Sequence, residues 1–146
     1  MNINGLSFNA LPPIDLPFRF FLTAPVFILL CAILIFFSGE GLWLSQWQPS
    51  MLALVHGFTL GFITMIMMGA LLQLLPVIGG VGIAKPRLIV TLSHSALVIG
   101  TLCLMANFIL PSTVWPSTAL TIITIFFLIL GVGVYIAALT WVLVKK

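Results

Sequence analysis

Chemistry in this chain is concentrated in two histidines, His56 and His94, each set in a long uncharged stretch. A histidine is expensive to keep in hydrocarbon, so one placed there reads first as a functional group. His56 stands near the start of MLALVHGFTLGFITMIMMGALLQLLPVIGG, residues 51–80, and Pro76 with a glycine pair is expected to close that segment. At helical spacing it shares a face with Thr59, Leu60, Ile63 and Met67, apolar apart from the histidine and Thr59. That face suits a large apolar ligand better than an ion path. Gly57 and Gly61 form a GxxxG pair and Gly69 adds a third small site. Small residues let a second helix, or a flat cofactor, come close to the backbone, and the sequence accommodates either use.

His94, in SHSALVIG, has two readings: a metal ligand, or an imidazole hydrogen-bonded to hydroxyls or a carbonyl of a neighbouring helix. Gln73 and Asn107 are expected to bond between helices. Cys31 and Cys103 fall inside apolar runs and read as packing residues. No CxxC or Cys/His zinc spacing is present. Thioethers favour Cu(I), but Met65 and Met68 share one helix face while Met67 lies on another, so the methionines read as core filling.

The elements that must position these residues are set by composition. Of 146 residues 62% are hydrophobic and 5% charged, with a mean hydropathy of +1.36. A soluble domain of this size needs a far more charged surface. A membrane span takes about 20 apolar residues to cross roughly 30 Å of hydrocarbon. Four runs meet this: about Phe18–Ser38, Met51–Val77, Leu88–Leu110 and Ala119–Val144. The expected fold is all-α, an integral membrane four-helix bundle formed by residues 1–146 as one domain. Ser38-Gly39, Pro49-Ser50, the glycines at 79, 80 and 82 with Pro86, then Pro111 and Pro116-Ser117 punctuate the runs. Ser50 is the expected N-cap of the second span, and Pro25 should kink the first. The opening MNINGLSFNALPPIDLP reads as a lead-in at the membrane surface rather than a signal peptide.

All five basic residues, Arg19, Lys85, Arg87, Lys145 and Lys146, fall on one side of a four-span topology, while the opposite loops carry only Glu40. By the positive-inside rule both termini are cytoplasmic. Trp43, Trp47 and Trp115 mark the outer interface and Trp141 the inner one. The net charge of +3 is thus a topology signal, and no basic patch supports nucleic-acid binding.

His56, Gly61-Phe62, Gly69, Leu71-Leu72 and Pro76 together resemble the first histidine helix of NnrS-like membrane haem–copper proteins, and PFRFFLTA at residues 17–24 resembles that family's opening. The second helix of haem–copper oxidase subunit I is a more distant likeness. The resemblance covers about residues 17–80. Residue 57 is Gly where the NnrS-like pattern has Glu, and the later histidine clusters of the oxidases are absent, with Tyr135 the one tyrosine. Oxygen or nitric oxide reduction by a single chain is therefore not expected. The oxidase core is similar to three four-helix units about a pseudo-threefold axis, so one unit implies a homo-oligomer, with a trimer the natural number, in a bacterial inner membrane.

The same resemblance implies haem b as cofactor, held by His56; Gly57 and Gly61 on the glycine face and His94 are the further candidate site residues. Neutral imidazole is an axial ligand of haem iron. With 1.5 Å of rise per residue, His56 lies roughly 8 Å below the outer boundary and His94 roughly 10 Å above the inner one. The two then differ in depth by about 12 Å in a core of about 30 Å, which strains a shared His56–haem–His94 site within one chain. A five-coordinate haem on His56, covered by Trp43, Gln46 and Trp47, is simpler. Electron transfer, gas response or an assembly role would follow, with a redox partner the sequence does not identify. The alternatives are copper held by His56 residues from three copies, and an accessory membrane subunit with packed histidines.

Overall fold

The computed structural model describes residues 2–3, 6–110 and 117–145. Four helical runs are long and apolar enough to cross a membrane: Asp15–Trp43, Pro49–Gly79, Pro86–Ile109 and Thr118–Val144. The chain is therefore an all-α, multi-pass membrane protein, and the spans begin and end within a few residues of the expected positions, save that the first continues past Ser38 to Trp43. The expectations for Pro111, Trp115, Pro116 and Lys146 lie outside the described residues.

A two-residue antiparallel pairing of β1 (Asn2–Ile3) with β2 (Leu6–Ser7) and a 3-10 turn over Phe8–Ala10 precede the first span. Helix α1 (Asp15–Ser38) continues through Pro25 and passes into a 3-10 turn at Gly39–Trp43. Helix α2 (Pro49–His56) is preceded by Gln48, whose carbonyl accepts the Leu52 N–H at 2.9 Å. Ser50 is thus inside the helix rather than its cap, because Pro49 takes the first helical position, where its fixed φ suits and its missing N–H costs nothing. A π-helical segment, Gly57–Thr64, then leads into α3 (Met65–Gly79). The expected close at Pro76 and the glycine pair is made by the glycines, the helix carrying Pro76 within it. The helix runs on to Gly80, left-handed at φ 70°, whose N–H donates to the Pro76 carbonyl at 2.8 Å. Lys85, at φ 45°, opens α4 (Pro86–Ile109), and α5 (Ser117–Val144) completes the bundle.

Close helix approach comes from glycines. A Cβ on Gly131 of α5 would stand 2.9 Å from the Leu97 backbone nitrogen of α4, and one on Gly100 would meet Leu128 at 2.8 Å. Backbones this near leave room for no larger side chain, the small-residue packing that membrane helices use. The Asn107 amide donates to the Thr121 hydroxyl at 3.0 Å and ties the same pair of helices. On the other side, α1 packs into the second span through Phe20, Phe21 and Phe27, which fill the space over Gly69 and Gly61.

The core is richest toward the end where Arg19, Lys85, Arg87 and Lys145 gather, here called the basic end. Leu16, Phe20, Met65, Leu72, Leu97 and Val142 are buried there or midway along the bundle. Tyr135, also buried, donates its hydroxyl to the Met68 carbonyl and so links α5 to α3. Outward faces stay apolar, as lipid contact requires: Leu22, Leu29 and Phe36 on α1, with Ile122, Ile125 and Ile129 on α5, are exposed.

Candidate functional site around His56

His56 ends α2, eight residues after Pro49 opens it counting both, which sets it about 10 Å below that helix end at 1.5 Å per residue. The carbonyl of Leu52, one turn earlier, lies 2.7 Å from its Nδ1. A carbonyl only accepts, so Nδ1 is the donor, and in the neutral ring Nε2 then holds the lone pair. Among the described residues, Nε2 has no hydrogen-bond partner. The ring is half-buried, and Phe108 of α4 packs beside it with centroids 5.4 Å apart and planes 33° from parallel. Backbone bond and aromatic neighbour together fix the imidazole plane. This is the outer-shell arrangement that sets tautomer and direction in histidine metal ligands.

The π segment begins at the next residue. Its wider turn bonds i to i+5, and such turns concentrate at functional positions. The Thr64 hydroxyl follows the widened backbone, donating to the Thr59 carbonyl five residues back at 2.9 Å, whereas Thr59 donates to the Val55 carbonyl four residues back at 2.8 Å. Thr59, Ile63 and Met67 face outward from the bundle, while Met65 and Met68 are buried. The face expected to accompany His56 is therefore an external one.

Gly57 and Gly61 face inward. A Cβ on Gly61 would lie 2.2 Å from Cδ1 and Cγ of Phe27, and one on Gly57 would lie 2.8 Å from Met105 Sδ and 3.2 Å from Cys31 Sγ. Of the two uses open to this glycine pair, the bundle takes helix packing at both positions. The Cys31 thiol, buried, donates to the Leu54 carbonyl at 3.7 Å. An apolar groove of about 410 Å³ lies between α1 and the second span, lined by Cys31, Ile35, Leu54, Val55, Phe58 and Thr59 among others, and His56 does not line it.

His94 lies elsewhere. Thr23 of α1 donates its hydroxyl to the Arg19 carbonyl at 2.8 Å, and its oxygen is also 2.8 Å from His94 Nε2, so that nitrogen is the donor. Phe20 meets the His94 ring edge-on at 5.1 Å and 90°, and Arg19 reaches Thr91, one turn before His94, at 3.1 Å. The partner is a hydroxyl of a neighbouring helix. His56 packs beside Phe108, fourteen residues along α4 from His94, a separation of about 20 Å along the helix axis. The structure brings His56 together with Leu52 and Phe108, and His94 with Thr23 and Phe20, but not the two histidines with each other.

Sequence reasoning missed Leu52, Phe108 and the π segment. The Leu52 bond was accessible in principle, since a histidine in a helix can reach the carbonyl four residues back. Phe108 carries no local signal. Among the described residues, no three His, Cys, Asp or Glu side chains come close enough to hold a metal ion. Neither a known protein family, a curated protein nor a solved structure matches this chain.

Proposed function

We propose that this protein binds haem b through His56 in the bacterial inner membrane, as a homo-oligomer with three copies favoured and both termini cytoplasmic. The observation that carries the reading is the bonding of the His56 ring: Nδ1 is held by the Leu52 carbonyl and Nε2 has no partner among the described residues on a half-buried ring, so the neutral ring offers Nε2 as a ligand. That donor is chemically right for haem iron, which takes a neutral imidazole as axial ligand. The inward space beside His56 is filled by Phe27, Met105 and Cys31. A porphyrin would therefore lie against the outward apolar face that carries Thr59, Ile63 and Met67, where a second copy can cover it. This is the physical reason for joining cofactor and oligomer in one proposal, alongside the likeness to one four-helix unit of the NnrS-like and haem–copper oxidase group.

In this scheme the residues divide the work simply. His56 would hold the haem through Nε2, with Leu52 setting its tautomer and Phe108 holding its ring plane. His94 serves packing, since its Nε2–H is engaged with Thr23 and it stands too far along α4 to serve the same iron. Bound haem would supply one-electron exchange or binding of a small gas. A copper site would have to be assembled from His56 of several copies, because no single chain gathers three donors of the His, Cys, Asp and Glu type among its described residues.

Purification in mild detergent with parallel haem and copper assay tests the reading. A Soret band with haem in proportion to chain supports it. A colourless preparation with stoichiometric copper transfers the site to copper, and a preparation with neither leaves an accessory subunit with packed histidines.

A further inference from the structure

At the basic end, the outer face of α4 and α5 carries an apolar groove with the Lys145 ammonium beside its Trp141 wall. The groove measures about 440 Å³ and is walled by Ile83, Ile89, Val134, Ala138 and Trp141 among others. That is within the roughly 300–1,000 Å³ of pockets that hold small ligands. Trp141 is 49% exposed, and the Lys145 ammonium sits 4.2 Å above the centre of its ring. Ala84 also lines the groove, and the next residue, Lys85, lines a second depression of about 420 Å³ together with Arg87. All three cations are exposed, and among the described residues none has an acidic partner.

We propose that this groove is a binding site for one anionic phospholipid, its acyl chain laid along Ile89, Val134 and Trp141 and its phosphate held by Lys145 and Lys85. The apolar walls give an acyl chain the dispersion and burial that it needs. The indole attracts the Lys145 ammonium to the groove mouth through its ring face, yet an ammonium has three N–H donors and only one side can face the ring. The rest stay available to phosphate oxygens. A zwitterionic lipid would bring its own quaternary ammonium to a place already holding two lysines, whereas an anionic headgroup meets them with net attraction, so charge selects the headgroup. This inference is independent of the His56 reading, because the groove shares no residue with that site.

Trp141 makes the test direct. A protein with Trp43→Phe, Trp47→Phe and Trp115→Phe retains Trp141 as its sole tryptophan. It is reconstituted in phosphatidylcholine vesicles containing a small fraction of lipid brominated on the acyl chain, either phosphatidylglycerol or phosphatidylcholine. Brominated phosphatidylglycerol should quench Trp141 at several-fold lower mole fraction than brominated phosphatidylcholine. Adding Lys145→Gln should reduce that preference by about fivefold, and adding Lys85→Gln as well should remove what remains of it. Both lysines are exposed, so the fold is kept and quenching by the neutral lipid serves as its control. Equal quenching by the two lipids in the parent, or an undiminished preference in the double variant, overturns the proposal.

Discussion

Replacing Gly61 by alanine sets a methyl carbon 2.2 Å from Cδ1 and Cγ of Phe27 and 2.8 Å from its Cβ. The contacts are at the root of the phenylalanine, not at a flexible tip, and Phe27 is itself only 1% exposed. The ring cannot swing aside, so α1 and the second span must separate or Phe27 must leave its rotamer. Overpacking of this kind costs about 1–3 kcal/mol, and rigid contact places Gly61→Ala at the upper end. Gly57→Ala should cost less, since Met105 meets the new methyl with its flexible Sδ–Cε end. Gly133→Ala, with nothing within 4 Å, should be neutral or gain up to about 1 kcal/mol from helix propensity. Reversible unfolding in mixed micelles orders the three variants. Phe27→Leu should recover part of the Gly61→Ala loss, giving a coupling of about 1 kcal/mol in a double-mutant cycle. If Gly61→Ala leaves unfolding unchanged, or Gly57→Ala costs more, the assignment of the GxxxG face to internal packing is wrong.

Tyr135→Phe removes the hydroxyl bonded to the Met68 carbonyl and should lower stability in the same assay by about 0.5–1.5 kcal/mol. Thr23→Val leaves His94 Nε2–H without its acceptor, which should cost about 1–3 kcal/mol while haem content per folded chain stays at the parent level. A reporter fused after Lys146 should be active on the cytoplasmic side, and one inserted near Gln48 on the periplasmic side; reporters agreeing on one side would refute the four-span topology.

The spans were legible because their signal is bulk hydropathy bounded by Pro and Gly, which needs no knowledge of neighbours. Their ends were less so. Pro76 with the glycine pair marks the close of the second span, and of these the glycines make it: the helix carries Pro76 and ends where Gly80 adopts a left-handed conformation. The π segment was hidden, because face assignments at i+3 and i+4 assume 3.6 residues per turn, and nothing in GFTLGFIT announces a wider one. Sequence alone equally could not decide the use of Gly57 and Gly61, since a small residue advertises space without saying what fills it. Phe27, thirty-four residues upstream of Gly61, answers that, and only packing brings it there. His94 shows the same limit. A hydroxyl partner was among its expected readings, yet that the hydroxyl is Thr23 of α1 depends on how the helices meet.

The most direct test of the role of His56 is the reduced-minus-oxidised absorbance spectrum of the purified parent, His56→Ala and His94→Ala proteins at equal chain concentration. The parent should show a b-type haem spectrum. His56→Ala should lose it while keeping the parent's helical circular dichroism and oligomer mass, and His94→Ala should retain it at parent intensity. Haem that survives His56→Ala and disappears with His94→Ala would contradict the assignment of the site to the second span.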